Sequence, residues 1–513
     1  MKRIAGIVFV VACLPAQNPG LGRIDFPTSG PPEAQKHFLR GVLLLHSFEY
    51  DDAREEFRTA QEIAPPFAMA YWGEALTYNE PLWFAQDADA ARSALKRLAS
   101  SPPTAREKEY LQAVHVLYGD GEKESRDFAY AEAMKRLSEK YPGDMEAASF
   151  YALALLGTSH QGRDFRIYMR AAARLEELFR RNPEHPGVLH YLLHCYDDPI
   201  HAPLGLRAAR TYAKVAPAAA HALHMPSHIF LALGMWDEVV QSNVEAWAAS
   251  EARAKHRDYH SLWWLAYGHL QQGRFEDARR ALQIVEQDAR QNSSRLIRFH
   301  LVQMRAAYQI ETGQLYPIRG GIDTSNLDLP AVAGDLLATG FLASNRGDRA
   351  EAERSLGAIR KLSSASSPAS ARQHAHLYPA DVQAVEIAEK ELAALLLLSD
   401  GRSKQAVQLM TEAAAVEDKM PFEFGPPAPP KPARELFGEI LLQLARPQEA
   451  RRQFELSLLR TPGRALSLLG RARALAESGD RAGAREAYTE LRKIWHRADA
   501  EVQKALASSE PRP

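Results

Sequence analysis

Two pairs of histidines stand at a spacing that suits metal coordination. His190 and His194 are four residues apart, and His224 and His228 repeat that spacing 34 residues later. On a helix, residues at i and i+4 lie on one face, so each pair offers two imidazole nitrogens to a single ion. We therefore expect these four rings to bind a divalent transition metal of the zinc or iron type.

Other polar residues of the same region are candidates to support that ion. Half of the 18 histidines lie between residues 185 and 260. Asp197 and His221 are expected to act as further ligands, or to orient the ligating rings through hydrogen bonds. Another interpretation stays open, in which a repeat was duplicated and its histidines only pack against neighbours or bond to carbonyl groups.

The sequence carries no motif of a standard enzyme class. It contains no HExxH, no P-loop, no GxSxG and no Rossmann glycine pattern. Its two cysteines, Cys13 and Cys195, are too few for a disulfide framework or a cysteine zinc site. A metal would therefore be held by histidines and carboxylates, and a metal-dependent enzyme that uses the same histidines remains an alternative to a binding protein.

The composition limits the classes of molecule that the chain is expected to bind. There are 63 Lys and Arg against 64 Asp and Glu, a net charge of -1, so no overall field attracts nucleic acid or an anionic bilayer. After the N-terminal segment no apolar run approaches the roughly 18 residues that a transmembrane helix requires. We expect the partner to be a protein, a peptide or a small ligand.

The N-terminus is typical of a targeting segment. Lys2 and Arg3 precede the apolar stretch 4–12, and Ala16 ends a small-residue cleavage site, which predicts a signal peptide over residues 1–16. We therefore expect export to the periplasm or the outer surface. Residues 10–13 also resemble a lipobox, which would make Cys13 the lipidated first residue and provide a lipid anchor.

The elements that must position these residues are repeats. One unit has small and large residues at regular positions: Gly41, Leu44, Ala53, Phe57, Ala60 and Pro65. A turn of the form Gly-x-aromatic-acidic, or a close variant, recurs at four glycines: Gly234, Gly273, Gly347 and Gly479. These patterns resemble the tetratricopeptide repeat (TPR) family, in which small residues allow two helices to cross closely and large residues fill the space between units.

The TPR resemblance implies an all-α, right-handed superhelical solenoid of about a dozen helix–turn–helix units. In this family the first helix of each unit lines a concave groove that binds peptides or other partners. The resemblance aligns the metal candidates with groove positions, together with these further candidates for ligand binding: His201, His260, Trp263, Tyr267, Glu74 and Tyr78. Residues 216–230 also resemble exported bacterial TPR proteins of unassigned activity.

Breaks in the repeat divide the chain. The predicted segments are a linker over 17–32, an N-terminal array over 33–318, a loop over 319–330, middle units over 331–419, a Pro-rich loop over 420–432, C-terminal units over 433–497 and a tail over 498–513. The Pro-rich loop is either a cover over the groove or a spacer, and its composition favours a spacer. The segment Tyr78 to Trp83 is expected to form a specific loop, without an assigned chemistry.

Overall fold

The protein is of the all-α class, with one short hairpin, in the part described by the computed structural model, which comprises residues 20–99, 104–252, 257–318, 320–365, 379–422 and 424–509. The predicted signal peptide and Cys13 lie outside these residues. The helices are α1 (Pro32–His46), α2 (Tyr50–Ile63), α3 (Ala68–Leu76), α4 (Ala88–Lys96), α5 (Ala105–Leu117), α6 (Lys123–Lys140), α7 (Met145–Leu156), α8 (Phe165–Arg181), α9 (Pro186–Tyr196), α10 (Ala202–Val215), α11 (Ala220–His224), α12 (Pro226–Ala232), α13 (Trp236–Ala252), α14 (Tyr259–Gln271), α15 (Phe275–Gln291), α16 (Arg295–Thr312), α17 (Leu329–Asn345), α18 (Arg349–Ala365), α19 (Pro379–Ser399), α20 (Ser403–Glu417), α21 (Ala433–Gln443), α22 (Pro447–Arg460), α23 (Ala465–Glu477), α24 (Arg481–Ile494) and α25 (Ala500–Ser509).

Short elements complete this inventory. Strands β1 (Asn79–Glu80) and β2 (Ala85–Gln86) pair antiparallel, with Asn79 opposite Gln86. A single 3₁₀ turn, Trp495–Arg497, follows α24. Among the described residues, no helix combines the length and the apolar character needed to cross a membrane.

Contacts divide the chain into two compact units. The first unit contains the described residues of Met1–Thr158, Met169–Leu192 and Lys214–His221. The second unit contains the described residues of Ser159–Tyr168, Leu193–Ala213 and Ala222–Pro513. The division matters for the site because it falls within the histidine-rich region.

Neighbouring helices interlock through glycine and phenylalanine, as the repeat predicts. In the first unit Phe57 of α2 lies against Gly41 of α1 and Gly73 of α3; a Cβ atom on Gly41 would come within 2.7 Å of its ring, and one on Gly73 closer still. In the second unit Phe454 of α22 has the same relation to Gly438 and Gly470. The buried ring fills the space between three helices, which confirms the predicted helix–turn–helix packing.

The turn glycines also behave as predicted. Gly273, between α14 and α15, has a φ of 68°, and Gly479, between α23 and α24, has a φ of 87°. This left-handed conformation ends a helix and is favourable for glycine. After Gly479, the Asp480 carboxylate accepts a hydrogen bond from the Gly483 N–H at 2.9 Å and caps the next helix.

Two segments are more ordered than their sequence indicated. In the predicted linker, Leu21, Ile24 and Phe26 are buried, and the Phe26 ring packs edge-on against Trp72. The predicted C-terminal tail contains helix α25, which buries Val502. Apolar residues at both ends are therefore part of the packed structure.

Replacing Gly73 by alanine tests the interlock. The new methyl group would overlap the Phe57 ring, and we expect the free energy of unfolding to fall by about 1–3 kcal/mol. Gly357 is the matched control because it lies in α18 with no atom near the position of a Cβ. Gly357→Ala should be neutral or stabilising by up to about 1 kcal/mol. Equal losses in urea unfolding for the two variants would contradict the packing argument.

Candidate metal centre

A break between two short helices brings the second histidine pair together. His224 is the last residue of α11, and His228 lies in the first turn of α12. Pro226 begins α12 and has no N–H to continue a helical hydrogen-bond ladder, so the two helices are separated at Met225. The sequence predicted one continuous helix here, but the rings still meet: the two Nε2 atoms are 3.0 Å apart.

The opposite nitrogen of each ring is held by a partner. His228 Nδ1 lies 2.5 Å from a carboxylate oxygen of Asp197. His224 Nδ1 lies 2.6 Å from Asn243 Oδ1. The amide of Asn243 is oriented by its own bond, because its Nδ2 donates to the carbonyl oxygen of Val239 at 2.8 Å. The oxygen of Asn243 therefore faces the imidazole.

These partners determine which ring nitrogens of His224 and His228 carry a hydrogen. Asp197 and the Asn243 oxygen are acceptors, so His228 and His224 both donate from Nδ1. A neutral imidazole that donates from Nδ1 carries a lone pair on Nε2. Two such lone pairs 3.0 Å apart repel each other, and one additional proton or one metal ion between them would remove that repulsion. Burial, followed by the neighbouring His228, lowers the pKa of His224 to about 4.

Further candidate ligands lie near the pair within the second unit. One candidate atom from each of His224, His228 and His260 lies within 4.8 Å of the other two. The same holds for His194, Asp197 and His228. Both groups contain His228, so this ring is the common member of two sets of three candidate ligands.

Aromatic residues enclose the imidazoles. The Trp264 ring stacks on His228, with centroids 4.3 Å apart and an interplanar angle of 25°. Phe424 lies 5.5 Å from the His228 ring and 6.4 Å from the His194 ring. Next to it, Gly425 approaches so closely that a Cβ would lie 2.9 Å from Trp264. The Pro-rich loop therefore covers the histidines, whereas its composition favoured a spacer.

A cleft adjoins this centre in the second unit. Its volume is about 910 Å³, including space open to solvent. Asp197 lies in its wall together with Trp236, Phe422 and several prolines of the loop. At another part of the wall, the Tyr267 hydroxyl accepts a hydrogen bond from Arg464 at 2.8 Å. The residue that orients His228 therefore also lines this open cleft.

The first unit contains a histidine cluster of different character. Glu146 accepts hydrogen bonds from His46 Nε2 at 2.6 Å and from His185 Nε2 at 3.0 Å. His46 Nδ1 accepts from the Tyr191 hydroxyl at 2.8 Å, and His185 Nδ1 accepts from the Val188 N–H at 3.2 Å. Every ring nitrogen of this cluster is used by the protein, so the cluster is satisfied without a metal.

Electrostatics agree with this assignment of protons. Burial alone would raise the pKa of Glu146, but His185 and His46 outweigh it and lower the pKa to about 2. Burial lowers the pKa of His46, and Glu146 only partly offsets this effect. Glu146 is therefore an ionised carboxylate at neutral pH, and His46 is a neutral ring.

The predicted metal ligands are divided between the units. His194, Asp197, His224 and His228 belong to the second unit and form the site described above. His190 and His221 belong to the first unit, where their rings are 5.0 Å apart. Within that unit, His190 Nδ1 lies 2.7 Å from the His46 carbonyl oxygen.

The predicted groove residues Glu74 and Tyr78 form a cluster of ion pairs and hydrogen bonds in the first unit. The buried carboxylate of Glu74 accepts from Arg58 at 2.9 Å and is also bonded to Arg97. The Tyr78 hydroxyl accepts from Arg58 at 3.0 Å, and its ring lies under Arg54. These contacts hold α2 and α3 together.

The other predicted groove residues lie in the second unit. His201 Nδ1 is 2.9 Å from Asp198, which also accepts from backbone N–H groups of the same turn. Trp263 is half-buried, and its ring lies 6.0 Å from that of His260. His260 also lies 4.7 Å from the His224 ring, so the three rings form a continuous row.

Three important residues were absent from the sequence prediction. Asn243 and Trp264 lie on α13 and α14, and Phe424 lies in the Pro-rich loop. Phe424 was visible as an aromatic residue within the proline run. Asn243 carried no signal, since an amide on a helix is common and only its contact with His224 gives it a role.

Comparisons with known proteins return only distant structural similarities. No protein-family model and no curated protein matches the chain. Among solved structures, the human IFIT1 dimer with m7Gppp-AAAA is 13% identical over 92% of this chain and 91% of that one, with a TM-score of 0.36. Yeast Tom70 is 13% identical over 93% and 95%, with a TM-score of 0.30. The Cut9–Hcn1 hetero-tetramer of APC/C is 12% identical over 95% and 78%, with a TM-score of 0.34.

The chain has a TPR-like fold. The glycine–phenylalanine contacts between neighbouring helices and the left-handed turn glycines support this assignment.

Replacing Glu146 by glutamine tests the satisfied cluster. The folded pKa of about 2 lies below the ordinary value of 4.5, so the charge stabilises the fold above pH 4.5 and this contribution disappears as the pH falls towards 2. We expect the free energy of unfolding of Glu146→Gln at pH 7 to be lower by on the order of 3 kcal/mol.

The difference in free energy of unfolding between the wild type and Glu146→Gln should become smaller when urea unfolding is repeated at pH 3.5. At that pH part of the stabilisation by the charge of Glu146 is already lost. Glu33→Gln, at an exposed position paired with Lys36, is the control and should change little. A deficit that is independent of pH would show that the charge of Glu146 is not its source.

Proposed function

We propose that the second unit binds one divalent transition metal ion through His224 and His228, and that the protein is an exported scaffold that holds a peptide or small ligand in the adjoining cleft. The observation that supports metal binding is the 3.0 Å distance between the Nε2 atoms of His224 and His228, since both rings donate from Nδ1. Neutral imidazoles oriented in this way are ligands suited to zinc, iron, copper or nickel.

The spacing of the two nitrogens supports coordination. Two Zn–N bonds of about 2.0–2.1 Å at a tetrahedral angle separate the nitrogens by about 3.3 Å. The rings are within a few tenths of an ångström of that separation, so a small rotation suffices. Asp197 behind His228 is the carboxylate–histidine arrangement that fixes the tautomer of a ligating ring and strengthens it as a donor to metal.

The cleft supports binding of an organic partner. Its wall combines Trp236 and Phe422 with prolines of the covering loop, and such surfaces pack well against rings and extended peptides. The charged groups of this wall are already engaged: Asp197 holds His228, and Arg464 is paired with Glu435. Recognition would therefore depend mainly on apolar contact.

A metal-dependent enzyme is the second candidate. The observation that favours it is that Asp197 both orients His228 and lines the cleft, so a bound ion would lie close to a bound molecule. The coordination number separates the two functions. X-ray absorption of the loaded protein would show a water ligand for a catalytic centre and a closed set of protein ligands for a structural one.

Export is proposed from the N-terminal sequence alone. Lys2 and Arg3 before an apolar stretch support a signal peptide, and Cys13 supports a lipid anchor as its variant. Mass spectrometry of the N-terminus of the protein produced in a bacterial host would distinguish cleavage after residue 16 from a lipid attached to Cys13.

Zinc titration of the chelator-treated protein tests the metal centre. We expect His228→Ala and His224→Ala each to weaken zinc binding by at least about 100-fold, since each removes a ligand. Asp197→Asn should weaken it by about 10–100-fold because it removes the orienting carboxylate. Binding is measured by calorimetry, and bound zinc is counted by elemental analysis.

Two variants provide matched controls. His37→Ala removes a histidine of the first unit that pairs with Glu56 on the surface, and Glu146→Gln alters the satisfied cluster. Both should keep the zinc affinity of the wild type. If folded His224→Ala and His228→Ala proteins also keep it, the metal proposal is wrong and the pair holds only a proton.

A further inference from the structure

The Pro-rich loop between α20 and α21 lies across several helices of the second unit. Six of the residues 420–432 are prolines, which have no N–H for a main-chain ladder and which favour an extended backbone. The loop contacts parts of the chain that are far apart in sequence, from Phe165 on α8 to Gly334 on α17. Arrays of helical repeats bind their partners on extended surfaces of this kind.

Two phenylalanines of the loop contact rings of these helices. The Phe422 ring lies 6.1 Å from that of Phe165, and the Phe424 ring lies 5.5 Å from that of His228. Residues two apart in an extended chain point to the same side, so one face of the loop supplies both rings. Phe422 and Phe424 are half-buried. Their rings therefore lie on the helices and are not enclosed in the core.

Glycines opposite the loop make room for its prolines. A Cβ atom on Gly162 would lie 2.9 Å from Pro421, and one on Gly334 would lie 2.9 Å from Pro430. A larger residue at either glycine would push the adjoining proline away. The surface under the loop is therefore shaped to receive proline at both ends.

Hydrogen bonds anchor the loop at its two ends. Arg460 donates to the carbonyl oxygen of Pro421 at 2.7 Å. At the other end, the buried Lys431 donates to Glu435 at 2.9 Å. Between these anchors Phe424 is held by ring contacts, which the aromatic side chain of another peptide can replace. The middle of the loop can therefore leave the helices while both ends stay attached.

Gly425 sets how closely the loop approaches the helices. Its φ of 100° lies in the region that favours glycine, and a Cβ atom on it would lie 2.9 Å from the Trp264 ring. Trp264 is fully buried, and close packing leaves its indole no room to move aside. A methyl group at Gly425 therefore moves the loop away from this surface.

We propose that the loop is the internal occupant of a peptide-binding surface, and that the partner of the second unit is an extended peptide in which phenylalanines precede a run of prolines. Such a peptide takes the place of the loop, with its rings against Phe165 and His228 and its prolines against Gly162 and Gly334. This inference rests on the scaffold function proposed above and deepens it by naming the class of partner. It does not require the metal ion.

A fluorescein-labelled peptide with the sequence of residues 420–432 tests the proposal on the full chain, by fluorescence anisotropy with EDTA present. In the wild type the attached loop competes at an effective concentration on the order of millimolar, so the peptide binds weakly. Gly425→Ala releases the loop and should bind the peptide at least about 10-fold more tightly. Gly321→Ala is the matched control, because Gly321 has a φ of 75° and no atom near the position of a Cβ. It should bind the peptide as the wild type does.

Two further changes locate the bound peptide. In the Gly425→Ala protein, Phe165→Ala should weaken peptide binding by about 5–10-fold, because one ring contact is lost. Phe128→Ala, at an exposed position of the first unit, should leave it unchanged. A peptide with both phenylalanines replaced by alanine should bind weakly to every variant. If Gly425→Ala does not fold, Phe422→Ala releases the loop by removing its ring contact with Phe165, and the same results are expected.

The proposal is overturned if the folded loop-releasing variant shows no saturable peptide binding, if its affinity equals that of the wild type, or if Phe165→Ala has no effect. Dimers of Gly425→Ala in analytical ultracentrifugation that exclude the peptide would also overturn it, since the occupant would then be a second copy of the chain. Each of these results leaves the zinc titration unaffected, so failure of the peptide proposal is distinguishable from failure of the metal centre.

Discussion

The insertion of one large ring between two glycines is the contact on which the structure depends. Phe57 lies between Gly41 and Gly73, and near the other end of the chain Phe454 occupies the same position between two glycines. Helices can pack this closely only where one partner has no side chain. The spacing set in this way determines where every polar residue on a neighbouring helix can reach.

Within that framework, the two histidine clusters differ in the balance of donors and acceptors. Around Glu146 the donors and acceptors match, and the rings bond to a carboxylate, a hydroxyl and a backbone N–H. In the other cluster, His224 and His228 both donate from Nδ1 to acceptors, so the lone pairs of their Nε2 atoms face each other. The composition of the two clusters is similar, and only the neighbours of each ring separate a structural cluster from a candidate metal centre.

Sequence spacing predicted contacts within a repeat far better than contacts between distant segments. The i, i+4 spacing of His224 and His228 placed their rings together even though Pro226 divides the helix. It could not reveal Phe424, which is almost 200 residues away in the chain, because that contact depends on the path of a loop. It also could not reveal that His190 belongs to another unit, since the boundary falls between residues 192 and 193 in the middle of a helix.

The stacking of Trp264 on His228 gives the centre an optical property. An indole 4.3 Å from an imidazole senses the charge of that ring, because a positive charge on the imidazole withdraws electron density from the excited indole. A charge placed between the two histidines would therefore change the emission of this one tryptophan among the seven of the sequence.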